Sequence, residues 1–376
     1  MIQRGVSLYS YQQAQFFKEL NVWEQIQEVR EELGTDGIEI ISEQTIKGYP
    51  FPNDEWLAKW RDTMEKFDMK AVTYDPHIDV LQFRDHVMDY DEAADRLKRD
   101  LRLAKKLGFQ IVRTHSSHKM EIMKKALSLA EELEIPMALE VHAPMSLHGP
   151  EVTEILEYID KTGTEFLGIV PDFSIFQVRI QKPVADWYIR RGCAPETVAF
   201  AQQICDEHLL DQIDDRLRSF QSMDSYNAYV LDGVEKDGQA GLSDKIREYI
   251  ELIKKHVPNP TPLDWDLFGW PLKMPHCTGK ELEEMVPFVK SCHGKFYDMT
   301  EIPGHPGQYE DVSIDYKTPI EALKRGGFHG YINSENEGQR HYQDMTREFY
   351  SDDVEQCRRH HEMLKRLIGE EKEAEV

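Results

Sequence analysis

The sequence predicts an α/β protein with a (β/α)8 TIM barrel, in which each of eight parallel strands is followed by a helix. Short apolar segments alternate with amphipathic helical segments through residues 1–170, and the alternation resumes after residue 286. Short connections between such units imply parallel strands with right-handed crossovers. An open doubly wound sheet also fits this alternation, but neither GxGxxG nor GxxxxGK[ST] follows the first strand, which weakens that alternative. Eight units favour the closed barrel.

The first six strands are short apolar runs bounded by Gly, Pro or charged residues, at 3–8, 37–41, 70–74, 110–114, 136–141 and 166–170. Helices are predicted between and after them at 23–33, 54–67, 89–107, 121–133 and 151–162. The helix at 23–33 repeats apolar residues at helical spacing and stops at Gly34. The helix at 54–67 begins at a favourable N-cap and places Trp56 and Trp60 on one face.

The alternation stops after about residue 173, and residues 175–285 have a pattern of helices and loops. We interpret this segment as a mainly helical insertion between strands six and seven of a single domain that spans residues 1–368. The later elements are a strand at 287–296, a helix at 319–325, a strand at 330–334 and a helix at 352–368. Residues 369–376 are mostly Glu and Lys and are expected to fray.

Composition excludes several classes of protein. The chain of 376 residues has a formal net charge of −24 and no block of Lys and Arg, which argues against binding to nucleic acid or to anionic membranes. Its five cysteines are scattered without CxxC spacing, as expected of reduced thiols in a cytoplasm. No apolar run approaches the roughly 20 residues that a membrane helix needs. We therefore expect a cytoplasmic protein that is not bound to a membrane.

Polar residues gather where the predicted strands end or, for the seventh strand, within it: His115, Glu140, His142, Asp172, His293, Lys295 and Glu335. Strand ends converge at one face of a barrel, so these side chains should meet there. Two Glu, one Asp and one His suit a divalent ion, most favourably Mn²⁺, with Mg²⁺, Co²⁺ or Zn²⁺ as competitors. Taken singly, each carboxylate is more often a cap or an ion-pair partner. A zinc tetrad from residues 276–277 and 292–293 is disfavoured by its spacing.

The chain resembles the xylose-isomerase-like TIM barrels, a superfamily of sugar isomerases and epimerases. The matching segments are 36–40 (DGIEI), 139–140 (LE), 170–172 (VPD), 293–295 (HGK) and 330–335 (GYINSE), within residues 1–174 and 286–368. The resemblance implies metal ligands at Glu140, Asp172, His293 and Glu335. The long segment before His293 departs from simple epimerases and leaves His208 or His276 as alternatives to that ligand. Glu39, in the matched second strand, is expected to bind substrate.

The chain length and the Glu-x-His pattern on strand five are similar to the large subunits of bacterial C-glycoside deglycosidases. That resemblance implies a lyase that acts on 3-oxo-glycosides with Mn²⁺ and a small β subunit. His142 would then be the base, because its ordinary pKa of about 6.5 suits that task. His115 and Lys295 would hold substrate oxygens. A sugar isomerase or ketose epimerase, with Glu140 and Glu335 moving the proton, is the alternative, and a homo-oligomer is the alternative assembly.

Two further classes of function stay open at this point. A phosphodiesterase is one, since endonucleases occur in the same superfamily, but the negative charge counts against it. A non-catalytic barrel that recruits a partner through the insertion is the other. It would bind no metal, so elemental analysis separates it from the enzymes.

Overall fold

Eight parallel strands form the barrel in the computed structural model, which describes residues 1–207, 209, 244–275 and 277–370. The strands are β1 (Gln3–Ser7), β2 (Gly37–Ile41), β3 (Lys70–Asp75), β4 (Ile111–Thr114), β5 (Met137–Val141), β6 (Leu167–Pro171), β7 (Cys292–Phe296), β8 (Thr300–Glu301), β9 (Tyr309–Glu310) and β10 (Tyr331–Asn336). Strands β8 and β9 are a separate antiparallel pair, and the other eight form the barrel sheet. The predicted fold class is confirmed.

The order of strands in the barrel sheet is β6-β5-β4-β3-β2-β1-β10-β7, and each pair is parallel. Two isolated parallel bridges, Ile169 with Val289 and Asp172 with His293, join the β6 and β7 regions at the remaining seam. Parallel strands point the same way, so their carboxyl ends open onto one face of the barrel. Every functional residue discussed below lies on or near that face.

Helices cover the outside of the barrel and the region between β6 and β7. They are α1 (Gln12–Phe16), α2 (Val22–Glu31), α3 (Ser42–Thr45), α4 (Asp54–Lys66), α5 (Tyr90–Leu107), α6 (Met120–Leu133), α7 (Pro150–Thr162), α8 (Lys182–Arg191), α9 (Pro195–Asp206), α10 (Asp244–His256), α11 (Pro262–Lys273), α12 (Gly279–Met285), α13 (Lys317–Arg325) and α14 (Asp353–Ile368). Capping boxes begin α2 and α5, and Gly108 ends α5 in the left-handed conformation that glycine adopts at little cost.

The seventh strand begins later than the sequence predicts. A 3-10 turn at Val286–Phe288 overlaps the start of the predicted strand at 287–296, and the strand begins only at Cys292. Pro287 explains the difference, because proline lacks the N–H that a strand interior needs and fits the first turn of a helix. The short β8–β9 hairpin was not predicted from the sequence. It encloses residues 304–307.

Among the described residues, helices α8 to α12 occupy the chain between β6 and β7. Their presence agrees with the helical character expected there. The boundaries 175–285 of an insertion stay a prediction, because residues 210–243 lie outside the described residues. So do His208 and His276, the alternative ligands.

The core fills the barrel and the layer between strands and helices. Large side chains such as Trp60, Tyr74 and Phe296 are fully buried there. Arg4 of β1 connects the first strand with the C-terminal part of the chain. It donates to the Leu33 carbonyl and to His361, and it pairs with Glu370 at 2.9 Å. Glu370, which the sequence assigns to a frayed tail, is thus held in place, and residues 371–376 lie outside the described residues. No helix in the described part of the chain has the length and apolar character to cross a membrane.

Candidate active site

The four side chains expected to bind a metal converge at the mouth of the barrel. Glu140 lies on β5, Asp172 directly follows β6, His293 lies on β7 and Glu335 lies on β10. One ligand atom from each falls within 4.8 Å of the others, and all four residues are buried. His293 Nδ1 is 2.9 Å from Glu140 Oε1, 3.4 Å from Glu335 Oε2 and 3.7 Å from Asp172 Oδ2.

The donor atoms of this cluster fit a divalent cation. Three carboxylates and one imidazole are the ligand types that Mn²⁺ and similar ions accept. Asp172 Oδ2 and Glu335 Oε2 are buried without a hydrogen bond of good geometry. The Lys295 ammonium lies 2.9 and 3.3 Å from these atoms and balances part of their charge. Buried carboxylates that lack hydrogen bonds are costly unless a cation satisfies them.

Glu39 lies beneath the cluster and is not among the residues that line the cavity, and its expected contact with substrate stays a prediction. Its side chain is fully buried and accepts hydrogen bonds from His293 Nε2 at 3.0 Å and Asn333 Nδ2 at 2.9 Å. A carboxylate only accepts hydrogen bonds, so Nε2 carries the hydrogen. The same argument puts a hydrogen on His293 Nδ1, which lies 2.9 Å from Glu140 Oε1. Nδ1 is the atom that faces the three proposed ligand carboxylates, so it would give up that hydrogen to ligate a metal ion, while Glu39 orients the ring.

The buried charges shift one another's pKa values. Burial alone would raise the pKa of Glu140, but Arg113 and His293 beside it hold that pKa well below its usual range. Burial would lower the pKa of Lys295, but Asp172 and Glu335 raise it well above the ordinary value. Both groups are thus charged near neutral pH. An ionised carboxylate is the form that a metal ligand requires.

Arg113 and Asp75 belong to the site, although the sequence analysis did not select them. The buried Arg113 guanidinium donates from Nη1 to Glu140 Oε2 at 2.8 Å and from Nη2 to Asp75 Oδ2 at 3.0 Å. Both oxygens of Glu140 therefore accept a hydrogen bond, one from Arg113 and one from His293. A charged residue inside the apolar fourth strand was the signal that could have revealed Arg113.

His142 lines the cavity, and its two ring nitrogens differ in their surroundings. Its Nδ1 lies 2.8 Å from the Ala143 carbonyl, which only accepts, so Nδ1 carries the hydrogen and Nε2 carries the lone pair. That Nε2 is buried and has no hydrogen-bond partner among the described residues. The ring stacks on His115 with centroids 5.4 Å apart. Burial lowers the pKa of His115 to about 4, so the neighbouring ring is neutral near pH 7.

A cavity of about 1160 Å³ opens above the cluster. It exceeds the range of about 300–1,000 Å³ typical of sites for drug-sized ligands. Five of the predicted site residues line it: His115, Glu140, His142, Lys295 and Glu335. Asp172 and His293 lie below them. The opposite side of the cavity is formed by residues of α8, α11 and the turn after β10.

Sequence comparisons match this chain to sugar-related proteins. A family model described as a xylose isomerase-like TIM barrel matches residues 27–227. The chain is 27% identical over 372 residues to the 3'-dehydrocarminate deglycosidase alpha subunit of Microbacterium sp, covering 97% of this chain and 95% of that protein. It is 25% identical to the C-glycoside deglycosidase alpha subunit of Microbacterium trichothecenolyticum, covering 89% of this chain and 83% of that protein.

Solved structures share the fold at low sequence identity. An L-ribulose 3-epimerase has a TM-score of 0.51 and 11% identity, with 100% of this chain and 97% of that chain covered. A D-psicose 3-epimerase, solved in the presence of D-fructose, has a TM-score of 0.50 and 12% identity, with coverage of 98% and 100%. These likenesses support the barrel architecture.

Proposed function

Because this chain belongs to the xylose isomerase-like TIM barrel family, we propose that it is a divalent-metal-dependent enzyme that removes a proton next to a sugar carbonyl. Glu140, Asp172, His293 and Glu335 are proposed to hold the ion, with Mn²⁺ favoured and Mg²⁺, Co²⁺ or Zn²⁺ as competitors. Such an ion polarises a carbonyl oxygen and stabilises the negative charge that develops there. Lys295 and His115 line the cavity beside it and are proposed to hold substrate oxygens.

The narrower proposal is a C-glycoside deglycosidase, a carbon–carbon lyase that acts on 3-oxo-glycosides. His142 Nε2 would take the proton from C2, next to the 3-keto group. The electron pair of that C–H bond forms the C1–C2 double bond, and the bond from C1 to the aglycone breaks. The aglycone carbon leaves with the bonding pair and is then protonated, so the step needs no oxidant or reductant. The names of the two Microbacterium relatives support this reading.

The observation that carries the lyase proposal is the contrast between His142 and Glu140. His142 Nε2 carries a lone pair with no described partner, whereas Glu140 Oε2 accepts from Arg113 and Glu140 Oε1 faces His293 within the proposed ligand set. A single base is enough for an elimination. An epimerase that returns the proton from the opposite face needs two.

Replacing His142 by Ala tests the proposal. Turnover of a 3-oxo-C-glucoside should fall about 10²–10⁴-fold, the usual contribution of a general base, while bound Mn²⁺ stays stoichiometric. His148→Ala is the matched control, because His148 lies on the same segment but is exposed outside the cavity. Near-normal turnover in His142→Ala would reject the base role. Loss of metal would make His142 a ligand or a structural residue.

A sugar isomerase or ketose epimerase is the alternative, and Glu335 is the residue that favours it. Its Oε2 is buried without a hydrogen bond of good geometry, 3.3 Å from the Lys295 ammonium, and could accept a proton. Incubation with 3-oxo-glucosides and with free ketoses, with and without Mn²⁺, separates the two activities. Released aglycone identifies a lyase, and an interconverted sugar identifies an isomerase or epimerase.

We also propose a partner for the chain. Both Microbacterium relatives are named as alpha subunits, so a small beta subunit is the favoured partner and self-association is the alternative. Co-expression of this chain with a candidate small subunit, followed by light scattering, distinguishes a hetero-oligomer from a homo-oligomer or a monomer.

A further inference from the structure

In the proposed lyase step, the departing aglycone carbon has to receive a proton. His142 takes the proton from C2, and the aglycone carbon then leaves C1 with the bonding pair. A carbon leaving group is strongly basic, so a positioned acid lowers the barrier to its departure. That acid has to line the cavity, hold a proton at neutral pH and lie apart from His142.

Among the described residues, three phenols line the cavity: Tyr9, Tyr188 and Tyr297. The Tyr188 hydroxyl already donates to Asp266 at 2.6 Å. Tyr297 directly follows β7, and only β6 lies between β7 and β5, the strand that His142 follows. Tyr9 is therefore the phenol that lies far enough from His142 to act on another atom of the substrate.

Tyr9 lies across the barrel mouth from His142. It belongs to a 3-10 turn at Leu8–Tyr11 that directly follows β1, whereas His142 directly follows β5. In the barrel sheet, β2, β3 and β4 separate these two strands on one side, and β10, β7 and β6 separate them on the other. A base and an acid at opposite points of the ring can act on two atoms of one substrate that lies between them.

The turn that carries Tyr9 is fixed to β10 and to the turn after it. The Ser10 hydroxyl donates to the Ser334 carbonyl at 2.9 Å and accepts from the Asn336 N–H at 2.9 Å. The Tyr9 carbonyl accepts from Gln339 Nε2 at 2.8 Å. Within the described part of the chain, no hydrogen bond engages the Tyr9 hydroxyl. The backbone thus holds the residue in place, and its O–H stays available to a substrate.

The charged groups around Tyr9 suit a proton donor. Burial and the Glu337 carboxylate raise the pKa of Tyr9 well above its ordinary value, so the hydroxyl keeps its proton at neutral pH. Arg340 and Lys295 act in the opposite direction, because they stabilise the tyrosinate that a transfer would leave. A carbon that leaves with a full electron pair is a stronger base than tyrosinate, so even a weak acid can protonate it.

We propose that Tyr9 is the general acid that protonates the aglycone carbon as its bond to C1 breaks. The hydrogen of the Tyr9 O–H group forms the new C–H bond with the electron pair released from C1, and the phenol oxygen keeps the O–H pair. His142 meanwhile holds the proton from C2. Loss of that proton to water and uptake of another by the tyrosinate restore both residues, without an oxidant or a reductant. This role rests on the proposed lyase function and adds its proton donor.

Two substrates that differ in the leaving group test this role. One is an aryl 3-oxo-C-glucoside, whose leaving carbon needs a proton. The other is 4-nitrophenyl 3-oxo-β-D-glucoside, whose 4-nitrophenolate is a stable anion that leaves without one. In Tyr9→Phe, kcat for the C-glucoside should fall about 10²–10⁴-fold, the usual contribution of a general acid, while KM and bound Mn²⁺ change little. Release of 4-nitrophenolate should stay close to that of the unaltered protein.

Tyr11→Phe is the matched control, because Tyr11 lies in the same turn but is fully buried and does not line the cavity. This variant also loses one phenolic hydroxyl, and it should leave both activities unchanged. Release of 4-nitrophenolate by Tyr9→Phe in the same preparation shows that this variant is folded and holds its metal.

Two results would overturn the inference and leave the proposed function standing. Equal losses with both substrates in Tyr9→Phe would mean that Tyr9 holds the sugar, and an unchanged kcat for the C-glucoside would mean that the proton comes from another group. If the unaltered protein, loaded with Mn²⁺, cleaves neither substrate, the proposed function fails and the inference fails with it.

Discussion

The His293 imidazole lies between the three proposed ligand carboxylates and the Glu39 carboxylate. This position limits what a single substitution can show about metal binding. The Nδ1 atom of the ring faces Glu140, Asp172 and Glu335, whereas its Nε2 donates to Glu39. The ligand set is therefore coupled to residues below it. A substitution at the edge of the cluster gives a clearer answer than one at His293, because it disturbs fewer buried partners.

Asp172 is the most informative ligand to replace. We expect Asp172→Ala to lose both stoichiometric metal and activity, since it removes one of three anionic ligands. Asp172 Oδ1 also accepts from the Ser174 backbone N–H at 2.7 Å and caps the following turn. Asp172→Asn is the matched control, because its amide oxygen keeps that cap while the charge is lost. Elemental analysis of both variants is the measurement, and stoichiometric metal in Asp172→Ala would show that the assignment is wrong.

Sequence reasoning selected four ligand candidates that the structure brings together, but it missed Arg113 and the contact of Glu39 with His293, for a physical reason. Glu140 and Glu335 lie where parallel strands end, and the barrel fold brings all such ends to one face. Arg113 and Glu39 point inward from earlier positions on their strands. Their partners come from other strands. Which side chains meet depends on how far neighbouring strands of the barrel are shifted along one another, and a single sequence does not give that shift.

At the scale of elements, the segments that follow the strands supply the lining residues by which the two sides of the cavity differ. The turn after β10 holds Arg340 and His341, and Gly338 begins that turn. A Cβ on Gly338 would lie 1.8 Å from the Tyr297 carbonyl oxygen. This close approach of two backbone segments fixes the position of the turn against the loop after β7.

Replacing Gly338 by Ala should therefore destabilise the fold and displace the turn. We expect a loss of about 1–3 kcal/mol in the free energy of unfolding, the usual cost of overpacking. Urea denaturation measures it. Gly279→Ala is the control, since its Cβ would come no closer than 3.1 Å to a neighbour, a side-chain methyl. Equal stability of the two variants would contradict the interpretation.

The barrel elements were predictable because their signals are local. The bounds of β2 at Gly37–Ile41 match the prediction, and those of α5 at Tyr90–Leu107 differ by one residue at the start. Apolar periodicity and caps determine such elements over short distances. The late start of β7 and the β8–β9 hairpin were missed. A two-residue strand leaves too short a pattern, and its pairing depends on the loop around it.

At the scale of the whole molecule, the first and last parts of the chain are joined through buried polar contacts. Asp353 at the start of α14 accepts hydrogen bonds from the backbone N–H groups of Gln13 and Ala14 at 3.0 and 3.1 Å. Its side chain is 3% exposed, and burial raises its pKa to about 6. This contact between distant parts of the chain makes the stability depend on pH.

Asp353→Asn should stabilise the protein at neutral pH. A carboxyl group whose pKa is raised on folding favours the folded state below its unfolded pKa of about 3.9, and this contribution is lost as pH rises through about 6. Asparagine stays neutral and keeps an acceptor oxygen. The gain in the free energy of unfolding at pH 7.5 should be about 2–3 kcal/mol. It exceeds the roughly 0.3–1 kcal/mol by which a negative side chain stabilises the N-terminus of a helix, an interaction that asparagine gives up.

Urea denaturation at pH 4 and pH 7.5 measures this effect. The difference between Asp353→Asn and the unaltered protein should vanish at pH 4. Asp352→Asn serves as the control, because Asp352 is exposed at the same helix start and should change the free energy of unfolding little. A gain for Asp353→Asn that is the same at both pH values would exclude the titration as its source.

The hydrogen bond between Glu39 and His293 has a consequence for attempts to re-engineer the site. A redesign that exchanges His293 for a carboxylate, to favour a harder ion, would set two buried anions against each other at the position of a 3.0 Å hydrogen bond. Glu39 would have to become neutral in the same step, while keeping an oxygen that accepts from Asn333 Nδ2. His293 and Glu39 therefore have to be exchanged together, in evolution as in the laboratory.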